Sequence, residues 1–166
     1  MKDKILHYAK EIVLFIVVMT LFANAISLYK SQDLSKAKLA LTTHKLINTN
    51  LYTPLTNKPL LVHIWATWCP ICKVEADNIQ RVSEHYEVIT IAVNSGTDYE
   101  IHNYMKERDL NFRVINDKKS VLAKELNIAV YPTTFIYDKN GNLVFSEVGY
   151  TSSFGLWIRM LYASFK

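Results

Sequence analysis

The feature that most constrains this chain is the run Leu60-Leu-Val-His-Ile-Trp65, which is followed, after Ala66-Thr-Trp68, by Cys69-Pro-Ile-Cys72. A nearly unbroken apolar run of this length predicts a strand buried on both faces, as in the middle of a sheet covered by helices. Pro70 suits the first position of a helix, where its missing N–H costs nothing. A helix is therefore expected from Pro70 to about His85, with Val74, Ile79 and Val82 on its apolar side and Asp77, Gln80 and Arg81 toward solvent.

The rest of the chain repeats this strand–helix logic. Val88 to Val93 reads as a second buried strand. Thr97 or Asp98 can cap a helix from Tyr99 to Arg108. Phe112 to Ile115 reads as a short strand and Lys119 to Leu126 as a short helix. Thr133 to Tyr137 and Leu143 to Val148 read as strands joined by Asp138-Lys-Asn-Gly141, which carries the favoured Asn-Gly turn pair. Ahead of these, Leu39 to Thr56 alternates loosely and reads as one or two short strands with turns. Ser152 or Ser153 opens a last helix, whose Phe154, Trp157, Ile158, Leu161 and Phe165 follow an i, i+3, i+4, i+7, i+11 stripe. That stripe is expected to pack on the sheet; the alternative is a membrane surface. Alternation at the front predicts parallel strands with right-handed crossovers, and the hairpin predicts an antiparallel edge. The expected class is α/β, a central mixed sheet flanked by helices, over residues 39–166.

The N-terminus is different in kind. Residues 1–11 carry Lys2, Lys4 and Lys10, whereas Ile12 to Leu28 carries no charge. A bilayer span needs about 17–25 such residues, and a run that is apolar all round does not suit a surface helix. One reading is an uncleaved signal anchor over 12–28, a single transmembrane helix, followed by a polar linker over 29–38. The other is a cleaved signal peptide, with Ala23-Asn24-Ala25 as a small-x-small site. The anchor is preferred because the run continues past Ala25 and a linker follows it. Both readings export the domain. The net charge of +4 is mild, and no stretch concentrates Lys and Arg as a nucleic-acid-binding surface does, so no nucleic-acid partner is expected.

Cys69 and Cys72 are the only cysteines among the 166 residues. An exported compartment permits disulfides, and with no other cysteine the pair is either a working redox couple or half of a metal site. Zinc ordinarily takes four protein ligands, and no second C-x-x-C exists. His63 and His85 lack diagnostic spacing, so no metal is expected. The rival reading is a periplasmic copper- or zinc-binding module that uses the same cysteines together with His63. At a helix N-terminus, Cys69 is the candidate nucleophile, since free N–H groups and the helix dipole favour its thiolate. Cys72, inside the first turn and less exposed, is the resolving thiol. Tyr131-Pro132 precedes a strand, and X-Pro bonds are the common site of cis peptides.

Leu60 to Cys72, with its Trp-Ala-Thr-Trp-Cys at 65–69, and Tyr-Pro-Thr-Thr-Phe at 131–135 together resemble the thioredoxin superfamily. The likeness is nearest the membrane-anchored periplasmic branch called TlpA-like or DsbE-like, and within it the suppressor of copper sensitivity D type. The resemblance implies a thioredoxin-like fold and a protein disulfide oxidoreductase whose only redox cofactor is the Cys69–Cys72 disulfide. It implies a cis Pro132 against the cysteines, with Tyr131 offering backbone groups to an extended substrate and with Trp68 and Pro70 in the docking surface. Trp65 is expected in the core. The implied partners are exported cysteine-containing proteins and a membrane or periplasmic thiol protein that resets the pair. The implied location is the bacterial inner membrane, single-pass, with the domain in the periplasm. Thioredoxin has a buried Asp six residues before its first active-site cysteine; His63 stands there. His63 is thus a candidate for proton transfer with Cys72, or else a hydrogen-bonded core histidine. Lys73 and Glu75 are expected to be solvated, although Glu75 matches a common acidic position of the branch. Ala76 and Asp77 replace a proline often found just after it, so little kink is expected in this helix.

Overall fold

The run Leu60–Trp65 forms the middle strand of a five-stranded sheet and is buried along its whole length. The computed structural model describes residues 7–8, 10–15, 17–19, 22, 43–48, 50–54 and 57–166. From residue 43 onward the chain order is β1 (His44–Lys45), β2 (Leu51–Tyr52), β3 (Leu60–Trp65), α1 (Pro70–Ser83), β4 (Glu87–Val93), α2 (Asp98–Glu107), β5 (Arg113–Asp117), α3 (Val121–Glu125), β6 (Thr133–Tyr137), β7 (Leu143–Val148) and α4 (Ser153–Phe165). The sheet order is β5-β4-β3-β6-β7, and β1 and β2 form a separate antiparallel pair. Strands β3, β4 and β5 are parallel; β6 pairs antiparallel with β3, and β7 antiparallel with β6. The mixed sheet expected from the alternation and the hairpin is therefore present.

Strand alternation divides the core in two. Leu61 and Trp65 face α1, α2 and α4 together with Val88, Ala92 and Ile136. Leu60, Val62 and Ile64 face the other way, onto α3 and the β1–β2 pair. The helix starts are locally encoded. Thr97 caps α2 in a capping box with Glu100, which satisfies two otherwise orphaned N–H groups. Asp117 does the same for α3, its two carboxylate oxygens accepting from Val121 N at 2.7 Å and Ala123 N at 2.9 Å.

Two helical faces differ from expectation. In α1 the buried side is Cys72, Glu75, Ala76, Ile79 and Val82, whereas Val74 is 68 % exposed. Val74 lies two positions from both Cys72 and Ala76, which on a helix turns it away from the sheet. Glu75 is fully buried rather than solvated. In α4 the buried side is Leu156, Met160 and Ala163. The expected stripe points outward, with Phe154 and Phe165 among the most exposed large hydrophobic side chains of the domain. This helix is apolar on nearly every side, so periodicity alone cannot fix its rotation. Small Ala163 and flexible Met160 are the residues that approach closely, while Arg159 is held at the flank by Glu147 at 2.9 Å. Trp157, only 37 % exposed, packs sideways on His85 and Tyr86.

The span read over 12–28 lies partly, and the linker 29–38 wholly, outside the described residues. The described residues between 7 and 22 are helical and exposed. No helix among the described residues is long and apolar enough to cross a membrane.

Candidate active site

The end of β3 delivers Ala66-Thr-Trp68 to the start of α1. Thr67 N donates to Ser95 Oγ at 3.0 Å, which ties this turn to the loop after β4. Cys69 is the N-cap of α1 and Pro70 its first residue. The cap acceptor is the Cys69 sulfur itself: Cys72 N donates to Cys69 Sγ at 3.2 Å. Cys69 and Cys72 are joined in a disulfide with Cα atoms 5.3 Å apart, and Cys72 is the more deeply buried of the two.

The Tyr131–Pro132 peptide is cis. It places the Tyr131 carbonyl oxygen 3.7 Å from Cys69 Sγ. Pro132 O accepts from Gly149 N at 2.8 Å, which anchors this loop to the end of β7. Trp68 stands beside it, 55 % exposed. Its ring meets Tyr131 edge-on at 5.6 Å, and its Nε1 donates to Asn94 O at 3.2 Å. The structure thus brings together Trp68, Cys69, Pro70, Cys72, Tyr131 and Pro132. Trp65, by contrast, is core: its Nε1 donates to Thr90 Oγ1 at 3.0 Å, and its ring packs on Tyr104 and Phe112.

Two buried ionisable groups lie on the same side of the sheet as the cysteines. His63 falls on the Leu61–Trp65 face of β3, and its Nδ1 is 2.9 Å from Thr134 Oγ1. Burial pushes its pKa down to about 3, so the imidazole is neutral at any ordinary pH. Glu75 sits one turn after Cys72 on the same helical face, where i and i+3 side chains are neighbours. Its Oε1 accepts from Thr151 N at 3.0 Å, and its Oε2 has no protein partner. Burial pushes its pKa up to about 8, against the opposing pull of the Thr151 N–H. No local pattern around Glu75 marks this burial, because the Thr151 amide comes from the far end of the chain. Lys73 is exposed, as expected.

No three His, Cys, Asp or Glu side chains are grouped to hold a metal ion among the described residues. A cavity of about 440 Å³ lies away from the cysteines, lined by Leu46, His102, Met105, Phe112 and neighbours.

A mixed sheet with a C-x-x-C disulfide at the helix after its central strand, faced by a cis-proline loop, defines a thioredoxin-like protein. The same architecture appears in solved structures. StoA from Bacillus subtilis aligns with a TM-score of 0.64 at 22 % identity, over 74 % of this chain and 96 % of that one. The chain belongs to the AhpC/TSA family, whose model matches residues 33–146. It is 34 % identical over 110 residues to a thioredoxin-like protein of Haemophilus influenzae, covering 66 % of this chain and 65 % of that protein. It is 29 % identical over 127 residues to the thiol-disulfide oxidoreductase ResA of Bacillus subtilis, covering 74 % and 69 %. The chain spans 57 to 65 % of the length of the first three curated relatives. These relatives include thiol–disulfide oxidoreductases.

Proposed function

We propose that the protein is a thiol–disulfide oxidoreductase acting on cysteines of exported proteins, with Cys69 as nucleophile and Cys72 as resolving thiol. The observation that carries this is the position of Cys69 Sγ. It caps α1, accepts the Cys72 N–H, and lies against the Tyr131 carbonyl. Once the pair is reduced, the same N–H and the helix dipole favour the Cys69 thiolate.

In the reducing direction, the Cys69 thiolate attacks one sulfur of a substrate disulfide and expels the other as a thiolate. The Cys72 thiolate then attacks Cys69 Sγ, expels the second substrate thiolate and closes the Cys69–Cys72 disulfide. Two electrons pass to the substrate, and its two thiolates take up protons from solvent. The oxidising direction is the reverse through the same atoms, and the reduction potential sets which direction runs. Trp68 and Tyr131 form the wall on which an extended substrate segment lies, Pro132 fixes that wall against the disulfide, and Pro70 borders it. Glu75, one turn along the helix from Cys72, takes the Cys72 proton as its ionised carboxylate in the reducing direction and returns a proton to the Cys72 thiolate as its neutral acid, the form burial favours, in the oxidising direction. His63 acts as a neutral support rather than in the proton path.

We read residues 12–28 as a signal anchor and 29–38 as its linker, holding the domain on the outer side of a bacterial inner membrane. The charge-free run supports this, and a relative of the same fold is an exposed pneumococcal lipoprotein. Within its family the chain then falls in the TlpA-like or DsbE-like branch, of the suppressor of copper sensitivity D type. A transmembrane electron carrier or another periplasmic thiol protein resets the pair. Cys72→Ser expressed with its leader should accumulate mixed disulfides through Cys69 that thiol reductant releases, and Cys69→Ser should accumulate none. Equal trapping by the two variants refutes the assignment of nucleophile and resolver.

A further inference from the structure

The last helix carries more apolar surface than the core uses. Opposite Leu156, Met160 and Ala163, the residues Phe154, Ile158, Leu161 and Phe165 recur at i, i+4, i+7 and i+11. They are 74, 51, 52 and 79 % exposed. Arg159 is the one charged residue of α4, and it is turned sideways to Glu147. A helix apolar on nearly every side suits an apolar environment. Phe154 and Phe165 alone leave roughly 300 Å² in water at about 200 Å² per phenylalanine. With Ile158, Leu161 and Tyr162 the strip is on the order of 500 Å², at the upper end of what a soluble monomer exposes.

The rim says what covers it. A stable dimer needs about 800 Å² from each partner, and this strip is a single helix wide. Lys166 follows Phe165, and its ammonium lies 5.5 Å from the centre of the Tyr162 ring. The Lys166 carbonyl accepts from Asn140 Nδ2 at 3.2 Å, which brings the β6–β7 turn with its exposed Lys139 alongside. Aromatic rings and lysines bordering an apolar strip suit a helix lying in the headgroup layer of a bilayer. The same chain carries further apolar side chains, between Ile12 and Phe22, that are 48 to 66 % exposed where described.

We propose that the outward face of α4, from Phe154 to Phe165, rests on the surface of a lipid bilayer. Its lysine-bearing end lies beside the turn that follows β6, whereas the cis-proline and the cysteines lie at the opposite end of that strand. The proposal rests on the anchor proposed above only for bringing the domain to lipid, and not on the cysteine chemistry.

The test is hydroxyl-radical footprinting of the full chain in nanodiscs of phosphatidylethanolamine and phosphatidylglycerol, one chain per disc. Tyr99, 73 % exposed on α2, is the internal standard. After correction for side-chain type, Phe154 and Phe165 should react about fivefold less than Tyr99, since a docked helix buries its apolar face in the headgroup–acyl boundary. In the double variant Ile158→Glu, Leu161→Glu, both phenylalanines should react like Tyr99. Phe154 and Phe165 as reactive as Tyr99 in wild-type discs overturns the docking alone. A chain that stays outside the discs with α4 reactive overturns the anchor and the docking together. Protection that grows with the number of chains per disc assigns the face to a second copy and overturns the lipid reading.

Discussion

Glu75 and His63 oppose each other in the pH dependence of stability, and Glu75→Gln separates them. Folding raises the pKa of Glu75 from 4.5 to about 8. The folded state therefore keeps a proton that the unfolded chain has lost, and stability falls as pH rises from 4.5 to 8. Folding lowers the pKa of His63 from 6.5 to about 3. There the unfolded chain holds the extra proton, and stability rises as pH climbs from 3 to 6.5. Each slope is at most about 1.4 kcal/mol per pH unit. The two cancel between pH 4.5 and 6.5. Above 6.5 the Glu75 slope dominates, and the oxidised protein should lose about 1–1.5 kcal/mol by pH 8. In Glu75→Gln that decline should vanish, and a rise of about 1.4 kcal/mol per unit should appear between pH 4.5 and 6.5. Glutamine keeps an oxygen to accept the Thr151 N–H, so the substitution isolates the charge. Urea unfolding midpoints at half-unit steps from pH 4 to 8.5, with a constant m-value, measure this. A variant that keeps the wild-type decline between pH 6.5 and 8 refutes the assignment of that slope to Glu75.

Other outcomes follow from single contacts. Trp68→Ala removes the ring that meets Tyr131. It should lower kcat/KM toward a protein disulfide by about tenfold, the equivalent of one aromatic contact of ~1–1.5 kcal/mol. Its glutathione equilibrium should stay unchanged, and a shifted equilibrium contradicts a role confined to docking. Asp117→Ala frees two helix N–H groups and should cost about 2–3 kcal/mol. Thr97→Ala, which loses one arm of an exposed capping box, should cost only about 1 kcal/mol. The opposite ranking in thermal melts contradicts this account of the two caps.

Much of the fold was legible because it is written in local rules. The continuous runs ending at Trp65 and Val93 became strands buried on every residue from Leu60 and Val88 onward. Thr97 and Ser152 cap the helices that were read after them, and Cys69-Pro70 opens α1 as the missing N–H of proline implied. The cysteine pair and Tyr131-Pro132, 59 residues beyond Cys72 in Tyr131, were joined by resemblance; their closeness is long-range and no periodicity carries it. What was illegible had non-local causes. The burial of Glu75 depends on an amide at Thr151, and the rotation of α4 depends on which of several apolar sides meets α1 and β6. An all-apolar helix offers no polar face to mark its outside, so the stripe chosen from spacing was the one turned away from the sheet.

Asn78 bridges α1 and the start of α4. Its Nδ2 donates to Tyr150 OH and to Thr151 O, both at 3.1 Å, and its Oδ1 accepts from Ser153 Oγ at 2.7 Å. With the Glu75 bond to Thr151, this makes the cysteine helix and the outward-facing helix one rigid body. On a bilayer, such a body has a fixed attitude: the height of the disulfide above the lipid and the direction in which it opens are both set by α4. Under the lipid docking proposed above, encounters become a search within a plane by a correctly tilted reactant, which favours partners whose cysteines are carried at that same height.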